Sequence, residues 1–211
     1  MLRIGLVTAL AAALCGCWTT REAVPEPAPK QAGQTGHTGS GIRFPATLDR
    51  FARTRVRVYD AAGKDVGAGY DLADTQTPVA VTLYVYPAPK LTSVGSSEEV
   101  VETAKRTLLD AHFSEVKASI LRRHQGAKLL SEGKTTLRFR GVRLDGRAAA
   151  FGMREHFAHR LQPLVSHVAV FAFGESLIKF RITHPARCSE QARPLIKAFR
   201  DAFCRANEAA P

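Results

Sequence analysis

The chain is predicted to be an α+β domain. Its expected core is a mostly antiparallel sheet of about six or seven strands, packed with one long or broken helix and a C-terminal helix. Three observations predict this. Residues 79–86 and 177–183 alternate apolar and polar side chains at the two-residue period of a half-buried strand. Residues 168–173 are apolar at every position, as in a central strand covered on both faces. Residues 96–124 and 194–206 repeat apolar side chains at helical spacing.

The elements follow in order. Residues 53–72 read as a hairpin, with Val56 and Val58 set against Arg55, Arg57 and Tyr59 and a turn around Gly63. In the next strand Val79, Val81, Leu83 and Val85 face one way, Thr82, Tyr84 and Tyr86 the other, and Pro87 and Pro89 stop it. Ser96 and Glu99 have the spacing of a capping box and open a helix. Its apolar stripe shifts near Phe113, which fits one helix with a drifting face or two that meet there; Gly126 is a natural stop. Four strands in a meander come next. Leu137 and Phe139 alternate with arginines, the phase flips at Gly141 as at a bulge, and Asp145-Gly146 reads as a two-residue hairpin turn. Residues 147–157 return, a loop with Pro163 follows, and Gly174-Glu175 joins the last two strands. The final helix is expected to start at Pro194, with Leu195, Ile196, Phe199 and Phe203 on one stripe. This order is similar to that of the PsbP-like α/β/α sandwiches, a resemblance of element order over residues 42–206 that implies a fold and no activity.

Upstream, Arg3 precedes an apolar run over residues 4–14. Eleven residues are too few to span a bilayer, which takes about 20, but suit the core of an export signal. Leu14-Cys15-Gly16-Cys17 then resembles the lipobox of bacterial lipoproteins. The resemblance implies cleavage after residue 16, acylation of Cys17 and a lipid-anchored place in the cell envelope. Trp18 rather than Asp after the modified cysteine implies the outer membrane, facing the periplasm, if the source is Gram-negative. Residues 18–41 are rich in Pro, Gly, Thr and Gln and read as a disordered linker in which His37 is solvated. The organisation expected is therefore a signal peptide over 1–16, an anchor and linker over 17–41, and one domain over 42–211.

Lys and Arg number 30 against 19 Asp and Glu, a net charge of +11 that favours anionic partners. Arg138, Arg140, Lys179 and Arg181 fall on the outward side of their strands in this reading and are the candidate anion-binding residues, with Arg55, Arg57 and Arg154 as possible additions. The partners that fit are an anionic lipid, a glycan or a protein; nucleic acid is not expected, because no stacking aromatics interleave with the arginines. No nucleophile elbow, phosphate loop or zinc framework is present, so neither cofactor nor metal is expected. The histidine-rich stretch around Glu155, His156 and His159 ends a strand, and with His167 and His184 it is the place a hidden enzyme site would occupy. An apolar groove beside the long helix is the third candidate, for an assembly role.

Cys188 and Cys204 are the remaining cysteines of an exported domain. A single helix between them would hold them about 24 Å apart, against about 5.5 Å in a disulfide. A helix starting only at Pro194 would let the preceding residues fold back, which leaves the bond open.

Overall fold

The computed structural model describes residues 35–72, 76–90 and 97–208. Cys17, the leader, most of the linker and Ser96 lie outside the described residues. The element order is β1 (Thr47–Leu48), β2 (Phe51–Val58), β3 (Val66–Leu72), β4 (Val79–Pro87), α1 (Glu98–Arg123), β5 (Lys128–Phe139), β6 (Val142–Phe157), β7 (Arg160–Phe173), β8 (Ser176–Pro185), a short 3-10 turn and α2 (Ser189–Glu208). All eight strands join one sheet in the order β1-β2-β3-β4-β8-β7-β6-β5. Every pairing is antiparallel. The fold is thus α+β. The strand count exceeds the expectation through β1, two residues too short to leave a periodic signal.

The helices lie on opposite faces. Even-numbered Val168 and Val170 of β7 pack with Leu109, Phe113 and Ile120 of α1, while its odd-numbered Phe171 packs with Phe199 and Phe203 of α2. This is why residues 168–173 are apolar throughout. The α2 side is an aromatic core. Phe199 meets Phe51 and Tyr70 edge-on at 5.0 and 5.3 Å, and Phe203 stacks on Phe139 at 5.4 Å and meets Phe180 edge-on at 5.4 Å. Such pairs add about 0.5–1.5 kcal/mol each to their area burial. On the other side α1 is one continuous helix. Its buried side chains are Leu109, Phe113 and Ile120, and the Arg147–Asp110 and Lys117–Glu132 ion pairs, each 2.6 Å, pin it to the sheet.

Several local expectations are corrected. The β5–β6 turn is Arg140-Gly141, both at positive φ (49° and 75°), so Gly141 is the turn and no bulge. Asp145-Gly146 lies inside β6, paired with Thr136 and Thr135 of β5. Glycine there serves a close approach: Gly146 sits opposite Phe171, whose ring fills the space a Cβ would take. Pro163 belongs to β7, in the stretch that has run past the end of β8, so no neighbour on that side needs its missing N–H. The actual β6–β7 turn is Ala158-His159, again at positive φ. The helix-capping serine side chain makes no cap bond, since Ser97 is the N-cap and only its carbonyl engages, accepting from Val101.

The domain also starts earlier than residue 42. Gly36 bridges to Arg43, and His37 is buried, its ring bonded to Ser40 Oγ at 2.7 Å and to the Lys64 carbonyl at 2.8 Å. His37 is a structural latch on the β2–β3 turn, not a solvated linker residue. Cys188 and Cys204 are both free and buried. Helix α2 begins directly after Cys188 with Pro194 inside it, so the fold-back needed for a disulfide does not exist and the two cysteines sit at opposite ends of one helix. Cys188 instead donates to the Gln76 carbonyl at 3.2 Å, and burial pushes the Cys204 thiol up to about 11.

Candidate functional site

A helix is about 10 Å across and strands lie about 4.8 Å apart, so α1 covers little more than two strands. It sits over β6 and β7. Among the described residues no helix lies over β2, β3 and β4 on this face. The register then decides which side chains meet. Tyr84 pairs with Lys179, Thr82 with Arg181 and Tyr86 with Leu177. Gly67 pairs with Arg57 and Tyr84, and Gly69 with Arg55 and Thr82. The alternation that turns Val81, Leu83, Ile178 and Phe180 toward α2 therefore gathers Arg55, Arg57, Tyr84, Tyr86, Lys179 and Arg181 on the open side.

Lys179 Nζ stands over the Tyr84 ring at 4.2 Å and the Tyr86 ring at 5.2 Å. Burial lowers its pKa, and the carboxylate of Asp65 pulls the other way. Tyr59 lies 6.4 Å from Tyr84 and completes an aromatic strip, while the bare Cα of Gly67 gives both rings room. Tyr86 reaches α1: its hydroxyl is 2.8 Å from His112 Nε2. Burial raises the pKa of Tyr86 and lowers that of His112, so a neutral phenol meets a neutral ring.

Arg181 is held from the α1 side. Its Nη2 is 2.6 Å from His124 Nε2, and its Nε donates to Ser166 Oγ at 3.4 Å. Since the guanidinium only donates, His124 Nε2 must accept, which puts the ring's proton on Nδ1, donated to Glu155. The chain Glu155–His124–Arg181 fixes the guanidinium. Of Arg181's five N–H donors two are engaged by described residues, which leaves three for an oxyanion. The face carries Arg55, Arg57, Lys179 and Arg181 against Asp65, the exposed Asp71 of β3 and the already engaged Glu155. Its chemistry is anion capture beside aromatic rings.

The sequence-predicted residues divide. Lys179 and Arg181 lie at the centre of this face. Arg138 is on the same side of the sheet but exposed on the outer strand β5, across β6 and β7 from them. Arg140 is elsewhere: it sits in the β5–β6 turn, and its guanidinium donates to the carbonyls of Ser40, Gly41 and Asn207. The expected row of four is therefore two residues, joined by Arg55 and Arg57. Glu155 and the histidines do not converge either. His167 and His184 lie on the α2 face, opposite to Glu155, and His156 points away from Glu155 as strand alternation requires. His112 and His124 escaped notice because nothing in a helical sequence says which strand its polar face will meet. Tyr84 and Tyr86 were legible as sharing a face, but not that β8 would lie beside them.

His167 and His184 bond to each other, Nε2 to Nε2 at 3.1 Å, and His184 Nδ1 donates to the Pro185 carbonyl at 3.0 Å. Burial first, then His184 and Arg193, lowers His167 to about 4, and burial lowers His184 as well. Both rings are neutral in the fold, whereas an unfolded histidine titrates near about 6.5. Below that pH the unfolded chain binds protons the native chain refuses, so stability falls between about 6.5 and about 4. The urea midpoint is expected to drop over that window. The variant His167→Asn should show a shallower drop, and an unchanged slope in the variant would refute the assignment.

Compared with known proteins, the chain matches no protein-family model and no curated protein sequence. What fold and site together define is a class: a three-layer α/β/α domain in which one helix leaves half of its sheet face open, lined by arginine, lysine and tyrosine.

Proposed function

We propose that this chain is an envelope lipoprotein, tethered through acylated Cys17, whose domain binds an anionic envelope component on the open face of β2, β3, β4 and β8. One observation carries the reading: the half of the sheet that α1 leaves uncovered presents Lys179, Arg181, Arg55 and Arg57 around Tyr59, Tyr84 and Tyr86. Cations that served solubility alone would scatter over the surface. Here two of them are partly buried in mid-sheet and held in place by ring and histidine contacts, an arrangement that costs desolvation and suits a ligand. The lipobox supports the anchor, and helices on opposite faces of one antiparallel sheet support the likeness to PsbP-like sandwiches.

The ligand chemistry that fits is a phosphate or carboxylate group carried on a lipid or glycan. Glycerol phosphate, titrated into the full chain by calorimetry, is the simplest probe of it. The double variant Lys179→Gln/Arg181→Gln is expected to weaken binding at least tenfold, because a hydrogen bond to a charged group contributes about 1.5–3 kcal/mol. Arg138→Gln, which removes the same kind of charge from the exposed β5 edge, should leave it within about twofold, as expected of a screened surface charge. Equal losses in both variants would reduce the effect to net charge and end the proposal.

A further inference from the structure

The α1 side of the sheet holds a second feature, at the end where β4 exits and β7 turns into β8. There the stretch of α1 that leads up to the buried Leu109 borders a groove of about 1180 Å³. Leu108 and Leu109 of α1 form its roof, and Ala172 of β7 and Leu177 of β8 its floor. Lys64, Lys90 and Lys105 contribute to its lining, with Glu175 as the acidic residue among them. Lys105 pairs with Glu102 in an exposed contact that holds it weakly. Lys64 and Lys90 have no ion-pair partner among the described residues. The volume lies at or above the upper end of small-ligand sites, which run roughly 300–1,000 Å³.

The groove adjoins the cationic face, with Leu177 in its lining and Lys179 outside it. Leu177 in its floor and Lys179 point to the same side of β8, two residues or about 7 Å apart. The Tyr86–His112 contact marks the boundary: Tyr86 pairs with Leu177, and His112 lies one helical turn beyond Leu108 and Leu109. Lys64 adjoins Asp65, the acid that acts on Lys179, so the β2–β3 turn borders both features.

We propose that the groove takes the apolar chain of an anionic amphiphile whose charged head lies on Lys179 and the neighbouring lysines. The occupant is argued from charge complementarity: an apolar roof and floor bordered by three lysines, of which only Lys105 has an ion-pair partner among the described residues, matches a molecule with one oxyanion and one hydrocarbon chain. This deepens the anion-binding reading and rests on it for the head.

The test titrates the full chain with glycerol phosphate, butyl phosphate and octyl phosphate, all below their micellar concentrations. A sheltered methylene is worth about fourfold in affinity, so octyl phosphate is expected to bind at least tenfold more tightly than butyl phosphate. Leu108→Glu should abolish that difference and leave glycerol phosphate binding unchanged. Leu108→Ser, gentler on the fold, should shrink the difference and serves if the glutamate variant unfolds. Equal affinity for butyl and octyl phosphate would overturn the groove and leave the cationic face standing. Tight octyl phosphate binding that Lys179→Gln/Arg181→Gln does not weaken would remove the head from that face and keep the groove. Failure of all three esters to bind would end both.

Discussion

Gly146→Val is expected to cost about 3 kcal/mol or more, and to lower the urea midpoint without changing the slope of unfolding. A Cβ at this position would stand 2.5 Å from both the Phe171 ring and the Val170 carbonyl. One of those is backbone in the central strand β7, which is hydrogen-bonded on both sides and cannot shift alone. The ring cannot yield easily either, because Phe171 meets Phe180 edge-on at 6.1 Å and lies under the Arg200 guanidinium at 5.5 Å. Gly133→Ala, on the exposed strand β5 where a Cβ meets nothing within 4 Å, is the matched control. It should be neutral or stabilise by about 0.4–1 kcal/mol through the unfolded chain. Similar losses for the two variants would mean that strand propensity, and not the close approach to Phe171, makes glycine necessary at 146.

Gly146 also shows where sequence reasoning stopped. Asp-Gly has two readings, a turn that needs positive φ and a strand position that needs no side chain, and local sequence does not separate them. The turn at Arg140-Gly141 was hidden for the complementary reason, since arginine at positive φ follows no propensity and is held there by its side-chain contacts. What was legible came from period: Ile178, Phe180 and Ile182 against Lys179, Arg181 and Thr183 fixed both faces of β8. The C-terminal stripe of Phe199 and Phe203 fixed the buried side of α2. What was not legible came from adjacency. Tyr84 and Lys179 are far apart in sequence and meet only because β8 inserts beside β4, and His37 looked solvated because its partner, the Lys64 carbonyl, is backbone and leaves no signal. The candidate site was thus half visible, as the cations of one strand without the tyrosines and histidines that give them a setting.

Arg140→Ala is expected to destabilise the domain by about 3 kcal/mol, more than its surface position in a turn suggests. Its guanidinium donates to the Ser40 carbonyl at 2.9 Å, the Gly41 carbonyl at 2.8 Å and the Asn207 carbonyl at 3.1 Å. It also lies over the Phe139 and Phe173 rings at 5.4 and 5.5 Å. Each charged hydrogen bond contributes about 1.5–3 kcal/mol, and a cation over a ring about 0.5–1 kcal/mol at an exposed site. The sum overstates the loss, since water will reach the freed carbonyls. Removing a non-glycine residue from positive φ returns little, because alanine suffers the same crowding. Arg140→Lys should recover less than half, as an ammonium cannot span three carbonyls in a plane. The loss should also be local before it is global. Arg140 and Asn207, which accepts from the Arg43 amide at 2.7 Å, together tie the N-terminal entry of the domain to the end of α2. In the alanine variant, hydrogen exchange should therefore quicken first at the amides of His37, Ile42 and Phe44, and protection unchanged there would show that His37 and Asn207 hold the entry without the arginine.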